Sequence, residues 1–272
     1  MALEFMYITN NPEIGCIVEE AGVERIWIDL EVIGKQERQP YESVKSQHKI
    51  SDISAMKHVL SKACIQVRVN PIYEGSQSEI DSCIKEGASI LMLPYFKSVK
   101  EVNDFLGFVD GRVKTNLLVE TKEAVEKLDE ILALEGIDEI HIGLNDLHLS
   151  YSKKFMFELL TDGTIEKVCK KIEQKGKPYG FGGIASLGEG IVPAELIISE
   201  HIRLNSTRAI LSRSFANEKD YEIDKSKFKY NFIKDVKEIC KYQEFLKLQE
   251  ESYFIENQFK LKAIVDKIVQ CM

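Results

Sequence analysis

The sequence predicts an α/β protein, a (β/α)₈ TIM barrel followed by extra C-terminal helices. Eight short apolar or β-branched runs recur along the chain, and most are followed by a stretch whose apolar residues repeat with a helical period. Strands that alternate with helices form a parallel sheet. Eight such units close a barrel of about 250 residues, which suits a chain of 272 residues.

The eight predicted strands are short and rich in apolar and β-branched residues. They are Glu4–Ile8, Arg25–Glu31, Cys64–Asn70, Ser89–Pro94, Thr115–Glu120, Glu139–Leu144, Pro178–Ile184 and Arg208–Ser214. Capping residues mark several helices between them: Asn11-Pro12 opens the first, and Gly87 follows the third. The predicted helices are Asn11–Glu20, Ser51–Lys62, Ser78–Glu86, Ser98–Val109, Thr121–Leu134, Thr164–Gln174 and Pro193–Arg203.

An open, doubly wound sheet is the second choice of fold. Its first βα turn normally carries a glycine-rich phosphate-binding motif, whereas Ile8–Pro12 contains no glycine. Gly180–Ala185 formally matches G-x-G-x-x-A, but Ser186, Gly188 and Gly190 disfavour the helix that a dinucleotide site needs directly after it. The closed barrel is therefore favoured.

The C-terminal part of the chain has a different pattern. Residues 1–216 form the predicted barrel domain and 217–272 a helical extension. Asn217–Lys227 is charged and is predicted to be a loop, and two apolar stripes of helical period follow from Tyr230 onward. We expect this extension to pack on a neighbouring subunit of a homo-oligomer. The alternative is that it folds back on its own barrel.

Composition excludes several classes of partner. The net charge is −8 and the lysines are interleaved with acids, so we expect no nucleic-acid binding. No apolar run reaches the length of a membrane helix, and no signal-peptide pattern opens the sequence, so we expect a protein without membrane contact. Six scattered cysteines without C-x-x-C fit unpaired, mostly buried thiols in a reducing cytoplasm.

Charged residues collect where the predicted strands end. In a barrel, the carboxyl ends of the strands and the loops after them carry function. Asp29 and Glu31 end the second strand, Glu120 ends the fifth, and Asp146 follows the sixth. Glu120 and Asp146 can place hard oxygen ligands around one Mg²⁺ or Mn²⁺. The alternative is that these acids cap helices or pair with an arginine.

Arginine and glycine residues extend this predicted rim. Arg68 ends the third strand, and its planar guanidinium suits a carboxylate, phosphate or enolate oxygen; a structural ion pair with a rim acid is the alternative. Gly182 and Gly183 follow the seventh strand and Arg213 the eighth. Barrels often bind phosphate there, so we predict a phosphate or second carboxylate site, with a mobile glycine loop as the alternative.

The histidines add one candidate. His148 lies two residues after Asp146 and is alone in falling near the predicted site, whereas the others fall on helices, in loops or within a strand. The sequence contains no Ser-His-Asp pattern, P-loop or H-E-x-x-H motif.

The same strand ends resemble the HpcH/HpaI aldolase and citrate lyase beta-chain family, of the phosphoenolpyruvate/pyruvate barrel superfamily. The resemblance runs from about residue 10 to 215 and is most specific between Glu120 and Asp146. The segments that carry it are GVERIWIDLE (Gly22–Glu31), QVRVNP (Gln66–Pro71), EGASILMLP (Glu86–Pro94), LVETKEAVEKLDEILALEGIDEIHIGLNDL (Leu118–Leu147) and GKPYGFGG (Gly176–Gly183).

The resemblance implies a metal-dependent aldolase that cleaves or forms a C–C bond between a 2-oxo acid and an aldehyde, with no Schiff base. The acids matching the family's metal ligands are Glu120 and Asp146, and the arginine that steadies the enolate oxygen is Arg68. The backbone of Gly143, Leu144 and Asn145 would hold the substrate carboxylate.

The chain departs from the family at two positions. Where the aldolase branch has D-G-E-H, this sequence has Asp29-Leu30-Glu31-Val32, so the family's acid/base histidine is Val32. The glutamine expected two residues before Glu120 is Leu118. Proton transfer then requires another group, for which Asp29, Glu31 and His148 are candidates.

Two other functions remain open. One is a related barrel enzyme that condenses or hydrolyses a phosphoenolpyruvate or CoA-thioester substrate. The other is a binding barrel that has lost catalytic turnover. The missing histidine and glutamine support this function, whereas the retained Glu120, Asp146 and Arg68 argue against it.

Overall fold

A computed structural model describes residues 3–35, 47–212 and 215–272. Eight parallel strands pair in sequence order, and β8 closes onto β1, so the chain forms a complete barrel. The strands are β1 Glu4–Ile8, β2 Arg25–Asp29, β3 Cys64–Arg68, β4 Ile90–Leu93, β5 Lys114–Val119, β6 Glu139–Ile142, β7 Tyr179–Ile184 and β8 Arg208–Leu211. The predicted (β/α)₈ fold is confirmed.

Helices surround this barrel and continue beyond it. Those that follow the strands are α1 Pro12–Glu20, α2 Ile50–Val59, α3 Ser76–Glu86, α4 Val99–Val109, α5 Lys122–Glu126, α6 Leu128–Ile131, α7 Leu144–Ser150, α8 Glu158–Thr161, α9 Thr164–Gln174 and α10 Ala194–Arg203. The C-terminal helices are α11 Glu218–Ile223, α12 Lys225–Leu246 and α13 Glu251–Cys271. Asn11 caps α1 through its side chain, and Gly87 ends α3 with a φ of 108°, as their residue types predict.

The structure corrects several predicted boundaries. β2, β3 and β6 end two residues earlier than predicted, because the chain leaves the strand ladder there and enters the loops of the rim. The predicted loop Asn217–Lys227 is instead largely helical: Asn217 caps α11, and Asp224 caps α12. The prediction failed because a solvent-facing helix and a loop can both be rich in charged residues, so composition alone does not distinguish them.

Two apolar clusters fill the molecule. The larger lies between the barrel wall and the helices, and a smaller one inside the barrel consists of Met6, Trp27, Met92 and Leu118. Because side chains alternate along a strand, Arg25, Trp27 and Asp29 of β2 all point into the barrel. Trp27 therefore separates a polar layer near the amino ends of the strands from the mouth at their carboxyl ends.

The polar layer below Trp27 is a closed ionic network, called the lower cluster here. Its members are Glu4, Arg25, Gln66, Asn116, Glu139 and Arg208. Arg25 and Arg208 both bind Glu139, with 2.7 Å between Arg208 Nε and Glu139 Oε2. Asn116 donates to the other Glu139 oxygen at 3.0 Å. Burial opposes ionisation of Glu139, but Arg25 and then Arg208 lower its pKa below the ordinary value.

The C-terminal helices cover their own barrel in this single chain. Phe232, Val236 and Ile239 of α12 and Leu261 and Val265 of α13 are buried in the larger apolar cluster. Asn257 also donates to Ser199 of α10 at 3.1 Å. The fold-back arrangement is thus present, and packing on a second subunit stays a prediction.

The structure bears on two further expectations, the burial of the cysteines and the lack of a membrane-spanning helix. All six cysteines are free, but only Cys83 and Cys169 are buried, so the expectation of mostly buried thiols is wrong. Within the described parts of the chain, no helix is both long and apolar enough to cross a membrane.

Candidate active site at the mouth of the barrel

Six charged side chains lie at or just beyond the carboxyl ends of β2, β3, β5 and β6, and all six are buried or nearly so. We call them the mouth cluster. They are Asp29, Glu31, Lys35, Arg68, Glu120 and Asp146.

A bidentate ion pair forms the centre of this cluster. Arg68 Nε and Nη2 donate to the two oxygens of Asp29 at 2.8 and 2.9 Å. Arg68 Nη1 lies 3.3 Å from Glu31 Oε2, and Lys35 Nζ donates to Asp29 Oδ2 at 2.7 Å. The Arg68 guanidinium also lies 5.3 Å from the ring centre of Trp27, which forms the floor of the mouth. The structural ion pair considered for Arg68 is present.

Asp29 and Arg68 each stabilise the charged form of the other. Burial alone would raise the pKa of Asp29, but Arg68 and then Lys35 hold it well below its ordinary range. Burial opposes the charge on Arg68, but the carboxylates of Asp29 and Glu31, and also that of Glu120, keep its pKa above the ordinary value. Asp29 is therefore a fixed anion at neutral pH, which makes it a poor proton carrier.

Backbone geometry positions Glu120. The Tyr95 amide donates to Glu120 Oε1 at 3.0 Å, and Tyr95 has a φ of 48°, an uncommon conformation for a residue with a side chain. On the other side, a Cβ at Gly143 would lie only 2.8 Å from Glu120 Oε2. Glycine at position 143 therefore lets the Glu120 carboxylate approach the start of α7, where Asp146 lies buried in the first turn.

The mouth cluster fits a divalent cation by donor type. Four of its six side chains are carboxylates, and two of these, Asp29 and Glu31, lie against the cations Lys35 and Arg68. Glu120 and Asp146 supply hard oxygen donors of the kind that Mg²⁺ and Mn²⁺ prefer, and two such carboxylates leave room for water and substrate. The described residues contain no group of three or more His, Cys, Asp or Glu side chains arranged to hold a metal.

The predicted substrate-binding backbone lies beside these acids. Leu144 is buried and Asn145 is exposed at the start of α7. Gly182, with a φ of 52°, faces Leu144, since an added Cβ would lie 2.7 Å from Leu144 Cδ1. Gly183 packs against Ser212 at the end of β8. The structure thus brings the end of β7 next to the start of α7. Arg213 lies outside the described residues.

The sequence singled out His148 as the histidine near the site, and the structure adds His48. His148 is buried, with its Nδ1 3.3 Å from the Leu144 carbonyl of its own helix. His48 lies at the mouth, where its Nδ1 accepts the Asp29 amide at 2.9 Å. Sequence reasoning missed His48 because the chain between β2 and α2 is long, and no residue pattern shows where it returns to the rim.

Asn70 is a second residue of the mouth that sequence reasoning left without a role. Its Oδ1 accepts the amides of Val32 and Ile33 at 2.9 and 3.0 Å, and its Nδ2 donates to Glu79 at 2.8 Å. Asn70 therefore holds the loop that carries Glu31 and Lys35. Its position at the end of the predicted third strand was the available signal.

The closed barrel and its charged mouth define a class of protein: a (β/α)₈ barrel with a candidate site at the strand ends, where enzymes of this fold have theirs. The family model for HpcH/HpaI aldolase/citrate lyase matches residues 7–180. The chain belongs to this family, as the resemblance at the strand ends predicts.

Solved structures share the fold at low sequence identity. The HpcH/HpaI aldolase from Desulfitobacterium hafniense DCB-2 matches with a TM-score of 0.61 and 17% identity, covering 83% of this chain and 92% of that one. The citrate synthase SbnG matches at 0.61 and 13%, covering 83% and 91%. A family protein from Burkholderia cenocepacia J2315 matches at 0.61 and 14%, covering 83% and 94%. No curated protein matches the sequence.

Proposed function

We propose that the protein is a divalent-metal-dependent aldolase that makes or breaks a C–C bond between a 2-oxo acid and an aldehyde through a pyruvate-type enolate. The mouth cluster carries this proposal, because Glu120 and Asp146 bring buried carboxylate oxygens, the donors that Mg²⁺ and Mn²⁺ prefer, to the carboxyl ends of β5 and β6. Family membership supports the reaction class.

A bound divalent metal ion would act as a Lewis acid on the oxygens of the 2-oxo acid. Glu120 and Asp146 are the residues that would hold it. The Tyr95 amide orients one Glu120 oxygen, and Gly143 leaves space for the other. The backbone amides of Leu144 and Asn145, in the first turn of α7, would donate to the substrate carboxylate. The Gly143 amide is not available for this role, because it donates to the Val119 carbonyl at 3.0 Å.

Arg68 would stabilise negative charge on the enolate oxygen. An arginine has five N–H donors, and the contacts to Asp29 and Glu31 use three of them. The remaining donors are held in one orientation by the bidentate pair. Such pre-organised donors stabilise a developing oxyanion more than mobile ones do.

A second candidate uses the same enolate in a condensation with a phosphoenolpyruvate or CoA-thioester substrate. The structural similarity to a protein titled citrate synthase favours keeping it. Gly182 of β7 packs against Leu144 at the start of α7, and the carboxyl end of β7 is where barrels often bind phosphate.

Exchange of the pyruvate methyl protons with D₂O tests the proposal without a second substrate. We expect exchange that requires added Mg²⁺ or Mn²⁺ and is lost in Glu120→Gln. Glu135→Gln, which removes an exposed acid outside the mouth, is the matched control. Metal-independent exchange contradicts the metal-dependent mechanism. Absence of both exchange and metal binding supports a binding barrel without turnover.

We also propose that the protein is a homo-oligomer, at least a dimer. Large apolar side chains are exposed on the C-terminal extension, with Leu248 83% and Phe259 70% exposed, and a second copy would bury them. Light scattering should give at least twice the monomer mass, and Phe259→Ser should lower it more than Lys262→Ser on the same helix. A monomeric wild-type protein at micromolar concentration contradicts this.

A further inference from the structure

His48 occupies the strand end at which the mouth cluster begins. Successive amides of β2 point to opposite neighbours: the Leu30 amide donates to Arg68 on the β3 side. The Asp29 amide points toward β1, whose pairing with β2 ends at Ile8 and Trp27. His48 Nδ1 accepts this amide at 2.9 Å. Asp29 thus binds Arg68 through its side chain and His48 through its backbone.

This hydrogen bond fixes the tautomer of the imidazole. A backbone N–H can only donate, so Nδ1 must be the unprotonated nitrogen and the neutral ring carries its proton on Nε2. Nε2 lies on the far side of the ring from the Asp29 amide. No hydrogen bond to Nε2 is formed by the residues that the structure describes, and the side chain is half-buried.

Burial and the surrounding charges together keep the pKa of His48 below its ordinary value. Burial is the main cause that lowers its pKa, and Lys35 and Arg68 act in the same direction. Asp29 and Asp52 act in the opposite direction and are outweighed. Both carboxylates have other partners: Asp29 binds Arg68 and Lys35, and Asp52 Oδ2 accepts from Asn10 and from the Lys49 amide, each at 2.8 Å.

We propose, resting on the aldolase function above, that His48 is a neutral hydrogen-bond donor that stabilises the oxygen of the carbonyl partner through Nε2–H. When the enolate carbon bonds to the aldehyde carbon, the C=O electron pair moves to the aldehyde oxygen. Nε2–H donates to that oxygen, and the proton of the new hydroxyl comes from water. The imidazole neither gains nor loses a proton. This role differs from that of an acid/base histidine, whose family position is Val32.

Nitrogen NMR tests the tautomer independently of activity. The wild-type protein has five histidines, and His48→Gln identifies the His48 signals by their loss. We expect the ring of His48 to be neutral at pH 7, with Nδ1 unprotonated and Nε2 protonated. A cationic ring at pH 7, or a proton on Nδ1, overturns the proposal.

Three variants and two reactions test the role. The reactions are condensation of pyruvate with acetaldehyde, glycolaldehyde or glyoxylate, and proton exchange of pyruvate alone. His48→Ala should lower kcat for condensation about 10²-fold, the usual effect of losing one oxyanion donor, and should affect exchange less. His48→Gln, which keeps an N–H donor, should retain at least about tenfold more condensation than His48→Ala. His58→Gln changes an exposed histidine of α2 and is the control.

The outcomes separate this proposal from the proposed function. Absence of exchange in the wild type refutes the aldolase function itself. Exchange in the wild type, together with equal losses of exchange and condensation in His48→Ala, makes His48 a base and overturns the donor role. An unaffected His48→Ala, a His48→Gln as inactive as His48→Ala, or a wild type that exchanges but condenses no aldehyde also overturns it.

Discussion

The two ends of the barrel contain similar side chains with opposite consequences. In the lower cluster, Arg25 and Arg208 face Glu139 and Glu4, so the charges balance. In the mouth cluster, Arg68 and Lys35 bind Asp29 and Glu31, and Glu120 and Asp146 are two further buried carboxylates at the strand ends. Both clusters contain a carboxylate whose pKa lies below its ordinary value because of arginine. The two further carboxylates therefore distinguish the candidate binding site from the structural network.

The largest expected effect is in the mouth cluster. Glu120→Gln and Asp146→Asn should each lower metal-dependent activity at least about 10³-fold, because each removes a charged ligand. The thermal midpoint of metal-free Glu120→Gln should change little, because the amide oxygen can still accept the Tyr95 amide. Wild-type activity with the same metal dependence in either variant would refute the ligand assignment.

The matching change in the lower cluster should affect stability instead. Glu139→Gln leaves two buried arginines without their shared partner, and breaking a buried pair costs about 3–5 kcal/mol. Denaturant unfolding should show this loss, while kcat per folded molecule stays close to wild type. A large loss of kcat without loss of stability would show that the two ends are not functionally separate.

Arg68→Lys tests whether the central ion pair also serves catalysis. Lysine keeps the charge but loses the planar donors, so kcat should fall about 10²–10³-fold. An increase of KM with unchanged kcat would mean that Arg68 binds substrate and transition state equally. Lys35→Arg is the comparison, because it changes a cation of the same cluster at a position not assigned to the enolate.

Acid should weaken both clusters by a smaller amount. Asp29 and Glu139 have folded pKa values below their unfolded ones. Their contributions are therefore complete above the unfolded pKa of about 4 and are lost as pH falls through the folded pKa. Below about pH 4, Asp29→Asn and Glu139→Gln should each reduce the slope of unfolding free energy against pH by up to about 1.4 kcal/mol per unit. Unchanged slopes would contradict these pKa directions.

The sequence was sufficient to predict the barrel because its alternation of strand and helix patterns is local. It also placed Asp29, Arg68, Glu120 and Asp146 at the rim, since every parallel strand ends at the same face. For Arg68, the sequence left two interpretations open, a contact to a substrate oxygen and an ion pair with an acid of the rim. Strand order brings Asp29 and Arg68 together, but rotamers and distances decide whether they bind each other.

What the sequence could not predict depends on long connections and on backbone detail. His48 returns to the mouth through a connection that contains no periodic pattern. The lower cluster joins Arg25, Glu139 and Arg208, which lie up to 183 positions apart, and no short motif links them. The φ of Tyr95, which aims its amide at Glu120, depends on the turn after β4.

Calorimetric titration with Mn²⁺ tests most directly the claim that the mouth cluster binds a divalent cation. We predict one site in the wild-type protein, loss of that site in Glu120→Gln, and wild-type binding in Glu139→Gln, which changes the lower cluster. Absence of binding to the wild type, or equal binding to the wild type and Glu120→Gln, would contradict the claim.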